Sequence, residues 1–557
     1  MKKKLSFLLI FVITLGFMSL TQYHVNEQKV IFENYGLKKG CSIEEGVEAI
    51  EETERVELLI KVDCKEFVND QEYREDFTDV QYQDYRKNKR ENAIKHFYQN
   101  NLKVFKKMGL TKYLNFYVSK YSPFIEISFD SSYFSSKALE ILTHISSMLD
   151  IDVIYVNDIS KVDVKPNLMN SFAFSGAGSI YYNRTHTASG IKVGQLEVGI
   201  LDEDHQNFAN ANVVVRDELY FFETVNDHST MMGTVICGPM AAAQNCTLYS
   251  VELFGSPTGE MEWLLDHDVD IVNMSFSETN PTGNYNSDSA YFDYISYTYG
   301  VVFVASAGNE GQGTGNVGNP GMGYNIITVG GVDTSETIAS FSSVWDNDGA
   351  PKPTVCSLGL MNITGFTGTQ YGTSVSCAFV TSMIAMMMEM NPSLKGNPSK
   401  VLAYICASAS YADDHYDMTG SGLEEYVGAG IFRYDNMIAS ASNSAVKVVT
   451  TNTINSVIYS RTVNLTAGDE LTASIAWIAS TDGTVDGVEF TDYDVLLRGP
   501  DGLVLATSYY NTSIVEMIRV LDVPYTGAYT IEVVQRSELV TNSDSIYIYH
   551  SVNASDT

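Results

Sequence analysis

The sequence predicts a three-part chain: a small α+β domain, then an α/β domain built on a parallel sheet covered by helices, then an antiparallel β-sandwich. Three observations predict it. Near-continuous apolar runs alternate with helical segments from Ile191 onward, which is how strands buried on both faces read. Helical periodicity vanishes near Ala445, and alternating strands with Gly, Asn and Asp turns continue to the end. Charge also changes near Lys165–Pro166: residues 1–165 carry 23 Lys+Arg against 25 Asp+Glu, whereas the remaining 392 carry 12 against 43. At 557 residues the chain is long enough for two to four domains. Its 45% apolar content excludes wholesale disorder, and its formal charge of −33 disfavours nucleic-acid binding.

The elements follow in order. Lys2, Lys3 and Lys4 precede a run of about 16 apolar residues, Leu5 to Leu20, which reads as a secretory signal over 1–22. No other stretch reads as long and apolar enough to span a membrane. Residues 23–55 read as an acidic spacer. Val56–Val62 is a strand and Tyr85–Met108 a helix. Two strands flank Ser122–Pro123, Lys137–Leu149 is a helix, and Val153–Val156 is a last strand. That βαββαβ order, over about 56–160, is that of a ferredoxin-like domain. The parallel sheet should use Ile191–Leu196, Leu248–Leu253, Val269–Met274, Val301–Ala305 and Ile326–Val329. The seven cysteines show no CxxC pair and no ligand spacing, so they read as small core residues rather than zinc ligands or a full disulfide framework.

Chemistry concentrates at Gly372–Thr373–Ser374, which opens a long apolar run to Met390. A serine at a helix start is most often a cap, but it also stands in a field that favours developing negative charge. A serine nucleophile needs a base, and a group to orient that base. Among nine histidines, His228 stands beside small residues with a helical run behind it, so it could face Ser374 from a second helix start.

These segments resemble those of subtilisin-like serine peptidases, the subtilases. Gly372–Thr373–Ser374 is similar to the family's nucleophile motif, and His228 to Val235 to its His-Gly-Thr motif. Val301 to Gly311 resembles the strand ending in the oxyanion-hole Asn, here Asn309. Val272 to Ser277 resembles the substrate-lining strand. Ile326 to Val332, Ala339 to Ser343 and Gly428 to Phe432 fall in the family's order, and the match covers roughly 185–440. The first strand departs from the pattern, with Glu197 where the family has Asp; a register using Asp202 loses the following Gly. Ser229 and Ser277 replace glycines, and Ser376 and Ala378 stand where Ala and Pro are usual.

The resemblance implies a subtilisin-like α/β domain over 166–444, preceded by a pro-segment over 23–165 and followed by a sandwich over 445–557. It implies a secreted serine endopeptidase in which Ser374 attacks, His228 is the base, Glu197 orients it and Asn309 stabilises the oxyanion. A peptide substrate lies along Ser275, Phe276 and Ser277, and the pro-segment is an intramolecular inhibitor removed by self-cleavage. The location implied is outside the cell, free or at its surface. No cofactor is required for this chemistry. A structural calcium ion at Asp492 and Asp494 is weighed against a solvated edge, which is favoured. The alternative is a catalytically inactive binding or scaffold protein at the cell surface.

Overall fold

Strands apolar on both faces can be buried only between two layers of helices. The computed structural model builds such a sheet from Lys192 to Leu358. It describes residues 30–33, 55–62, 115–118, 124–146, 151–158 and 175, then 185–554 except 217–224, 254–257, 279–280, 282, 313–315, 345–350, 413–422, 482 and 484–486. The chain divides into two compact units, Met1–Val164 and Lys165–Thr557.

In the first unit, β1 (Val30–Glu33), β2 (Arg55–Val62), β3 (Asn115–Val118), β4 (Phe124–Asp130) and β5 (Ile151–Asp158) form one sheet in the order β1-β5-β2-β4-β3. Helix α1 (Ser131–Ser146) packs on it. Ala138, Ile141, Leu142 and Ile145 recur at helical spacing and are buried, as are Val56, Leu58 and Ile154 of the sheet. Strand β1 corrects the spacer expectation: Val30, Ile31 and Phe32 favour extended structure, and they add a parallel edge to β5. The expected signal and the helix at Tyr85–Met108 lie outside the described residues.

In the second unit, the parallel strands are β6 (Lys192–Glu197), β7 (Asn212–Val215), β8 (Thr247–Glu252), β9 (Ile271–Met274), β10 (Val302–Ser306), β11 (Ile326–Val332) and β12 (Val355–Leu358). Their order is β12-β11-β10-β9-β6-β8-β7. The helices are α2 (Asp227–Cys237), α3 (Thr258–Asp266), α4 (Ser287–Tyr299), α5 (Thr373–Met390), α6 (Pro398–Ser408) and α7 (Tyr434–Ser440). A hairpin of β13 (Leu360–Asn362) and β14 (Thr369–Tyr371) leads directly into α5. Of the described helices, α5 alone is long and apolar enough to cross a membrane, contrary to the sequence reading, but 89% of it is buried inside the protein. A helix apolar all round is here a core helix, packed on α2 and on β9 to β12.

The C-terminal strands are β15 (Ser444–Val449), β16 (Ser456–Leu465), β17 (Glu470–Ala476), β18 (Ser480–Thr481), β19 (Val488–Glu489), β20 (Tyr493–Arg498), β21 (Val504–Ser508), β22 (Val515–Val520), β23 (Gly527–Gln535) and β24 (Asp544–Asn553). They make two four-stranded antiparallel sheets, β15-β24-β17-β22 and β16-β23-β20-β21, and a short separate pair, β18-β19. Alternate residues such as Ala473, Ile475, Ile546 and Ile548 of one, and Val495, Leu497, Ile531 and Val533 of the other, join one apolar core. Helix α6 packs on the first sheet: Tyr404 stacks on Tyr549 at 4.7 Å, and Ser551 Oγ donates to the Ala407 carbonyl at 2.7 Å. Buried Arg519 donates to the Ala409 carbonyl at 2.5 Å.

Candidate active site

Strand β6 ends at Glu197, and the chain must then turn beside the start of α2. Gly199 has φ +108°, and a Cβ there would collide with the Asn226 side chain, so glycine is required for both space and backbone. Asn226 caps α2: its Oδ1 accepts the N–H groups of His228 at 2.8 Å and Ser229 at 3.3 Å. That cap fixes His228 in the first turn. Sequence reading passed over Asn226, although an Asn just ahead of a helical run is the ordinary signal of a cap. Ser229, in place of the family's Gly, is buried and accepts from Gln195 Nε2 at 3.0 Å, which ties α2 to β6.

The structure brings Glu197 and His228 together. His228 Nδ1 lies 3.0 Å from Glu197 Oε2, and Glu197 Oε1 accepts the Ser275 N–H at 3.1 Å. Glu197 is fully buried, while the His228 side chain is 40% exposed, so the imidazole opens to solvent and its partner does not. Burial alone lowers the His228 pKa. The hydrogen bond and the charge from Glu197 outweigh it, and the pKa is raised above the ordinary value. Asp202 faces elsewhere: its Oδ1 accepts the Asp204 N–H at 3.2 Å within its own turn.

Ser374 is the second residue of α5, whose cap position is Gly372 at φ 141°, so the serine is not itself the cap. Its Oγ donates to the Ser275 carbonyl at 2.9 Å, and Ser275 Oγ donates back to the Ser374 carbonyl at 3.0 Å. In this structure the hydroxyl is therefore turned to Ser275 rather than to the imidazole. Ser275 thus binds Glu197 through its N–H and Ser374 through its carbonyl. It was expected only to line the substrate, with Phe276 and Ser277, yet it also joins β6 to α5. Asn309, at the exposed end of β10, accepts the Thr373 N–H at 2.9 Å through Oδ1. Its amide nitrogen is left to donate beside the α5 N-terminus, where backbone N–H groups favour negative charge.

Cys377, one turn beyond Ser374, points inward: its Sγ lies 3.2 Å from Asn273 Oδ1 and 3.3 Å from the Val304 carbonyl. Burial pushes this thiol up to about 12, so it remains protonated at neutral pH. At the edge weighed for calcium, the Asp494 carboxylate accepts from Arg536 Nε at 2.5 Å, and an ion pair occupies it. Among the described residues no group of three or more His, Cys, Asp or Glu has metal-site geometry.

The subtilase family profile matches residues 147–430, just over half of the chain. Subtilisin NAT of Bacillus subtilis subsp. natto is 29% identical over 230 residues, which cover 38% of this chain and 58% of that protein. Subtilisin DY of Bacillus licheniformis is 28% identical over 257 residues, covering 42% and 91%. The chain thus spans 58% of the length of the first relative and more of the second. The solved structure of the prenylagaramide maturation protease PagA aligns at 20% identity and a TM-score of 0.39, covering 49% of this chain and 98% of that one. With that profile match over the parallel sheet and both helix starts, the chain belongs to the subtilase family.

Proposed function

We propose that this protein is a secreted serine endopeptidase with a Ser/His/Glu triad, made as a self-processing zymogen. The observation that carries the reading is the buried Glu197 carboxylate on His228 Nδ1 at 3.0 Å, linked through Ser275 to Ser374. With Nδ1 donating to Glu197, Nε2 is the nitrogen free to accept a proton. Ser374 Oγ rotates from the Ser275 carbonyl, gives its proton to Nε2 and attacks the scissile carbonyl. The imidazolium then protonates the leaving amine, and Glu197 stabilises it while it lasts. The developing oxyanion is met by the Asn309 amide and the Ser374 N–H; losing one such donor typically costs ~3 kcal/mol. The chemistry needs no cofactor.

The N-terminal unit, with β5-β2-β4-β3 and α1, fits a ferredoxin-like pro-segment that inhibits until cleaved near residue 165. The two antiparallel sheets fit an appended sandwich. An export signal at residues 1–22 fits a location outside the cell. The acidic remainder of the chain favours basic or neutral peptides over acidic ones.

A second reading is a catalytically inactive binding protein. The observation in its favour is that the Ser374 hydroxyl is turned to Ser275 rather than to His228. Hydrolysis of a denatured protein by the purified enzyme decides between them. The peptidase reading expects cleavage that disappears in Ser374→Ala and in His228→Ala. Absence of cleavage, or equal cleavage by the folded variants, supports the second reading.

A further inference from the structure

Ser277 stands where the family has glycine, and its hydroxyl fills space. Its Oγ occupies the position a Cβ on Gly318 would take, and lies 3.1 Å from where a Cβ on Gly308 would stand. Gly318 is thus glycine for room. The hydroxyl is buried and has no hydrogen-bond partner, an arrangement that folding alone disfavours. The surrounding wall is fixed. Glu278 N–H donates to the Asn319 carbonyl at 2.9 Å, Asn319 Nδ2 donates to Glu278 Oε2 at 2.8 Å, and Ser306 Oγ donates to the Phe276 carbonyl at 3.0 Å. Ala307, Val317 and Met322 form a small buried apolar cluster nearby in the chain.

Ser277 stands two residues beyond Ser275, whose carbonyl accepts the Ser374 hydroxyl at 2.9 Å. A carbonyl attacked by Ser374 sits between that hydroxyl and the Asn309 amide. A peptide extended along Ser275 to Ser277 then places the side chain of the attacked residue between that segment and Gly308, which precedes Asn309. We propose that Ser277 restricts that substrate side chain to Gly, Ala or Ser. The space a larger side chain needs is taken by the Ser277 hydroxyl, and the pinned wall cannot yield it.

The inference rests on the peptidase reading, but binding tests it separately. N-acetylated tetrapeptides ending in Ala or in Phe are titrated calorimetrically into the purified protein, and the matching peptide anilides are assayed for turnover. The Ala-ended peptide should bind at least about tenfold more tightly, the scale set by a few methylenes in a closed pocket. Ser277→Gly should raise the Phe-to-Ala ratio by about tenfold or more in both assays. Equal binding of the two peptides, no binding of either, or an unchanged ratio in folded Ser277→Gly overturns the inference. Selective binding of the Ala-ended peptide without any hydrolysis leaves it standing and sinks the peptidase reading instead.

Discussion

Replacing Glu197 by Gln keeps the shape of the side chain but removes one acceptor. Both carboxylate oxygens are engaged, by His228 Nδ1 at 3.0 Å and by the Ser275 N–H at 3.1 Å. The amide has one oxygen for two donors. If the oxygen stays on Ser275, the NH₂ faces His228 and forces the tautomer whose Nε2 already carries the proton. If the amide turns, two buried donors oppose each other, at ~1–3 kcal/mol. Loss of the acceptor in a serine peptidase lowers turnover by ~10⁴, or about 5 kcal/mol of barrier. Glu197→Asp shortens the side chain by about 1.3 Å, so one of the two contacts opens to roughly 4.3 Å, beyond hydrogen-bond range. Its loss should be smaller, about 10- to 100-fold. The assay is kcat/KM against pH on a peptide anilide, with folding followed by near-UV circular dichroism. In the parent the base form of His228 appears only above its raised pKa, so the acid limb lies above 6.5. In Glu197→Gln the raising contributions vanish while burial still lowers the pKa, so the residual activity should show its acid limb shifted down. Turnover in Gln equal to that in Glu, or an acid limb that does not move down, refutes the orienting role of Glu197.

Ser374→Ala, expressed alone, should accumulate with residues 23–165 still attached; trimming at the parent's rate in a purified system contradicts self-processing. Cys377→Ala should keep most activity and lose roughly 1 kcal/mol of stability by chemical denaturation, so a folded but inactive variant contradicts the packing role of that thiol. Asp435, near the start of α7, is buried, and burial raises its pKa from 3.8 to about 7. Its cost to folding is absent below pH 3.8, grows as pH rises and is complete above about 7. Asp435→Asn should therefore stabilise the protein at pH 8, by at most ~4 kcal/mol, and change little at pH 3.5; equal melting shifts at both pH values exclude this linkage.

The central strands were legible because parallel strands buried on both faces admit almost only apolar residues. Val302 to Ser306 and Ile326 to Val332 are buried throughout, and their sequences show it. The edges were not. Asn212–Val215 is only partly buried and short, and Val30–Glu33 sits in a stretch whose composition is acidic. Ser374 and His228 were legible as helix starts flanked by small residues. What links them was not. Ser275 binds Glu197 and Ser374 mainly through its own backbone, which no residue type announces. The preference for Glu197 over Asp202 turned on register; Glu197 Oε2 lies 3.0 Å from His228 Nδ1, whereas Asp202 Oδ1 accepts the Asp204 N–H within its own turn. The sandwich strands were legible by alternation, but their docking on α6 was not: Tyr404 meets Tyr549, and Arg519 meets Ala409, each across more than 100 residues of chain.

The central claim is that Ser374 is a nucleophile activated by His228. Mass mapping of the adduct left by a fluorophosphonate tests it most directly, because the reagent reports on the activated hydroxyl itself and needs no guess about substrate. A single adduct is expected on the peptide carrying Ser374 in the mature protein, formed far more slowly in His228→Ala, and absent in Ser374→Ala. An unlabelled Ser374 in the folded mature protein, or labelling at the same rate without His228, would contradict it.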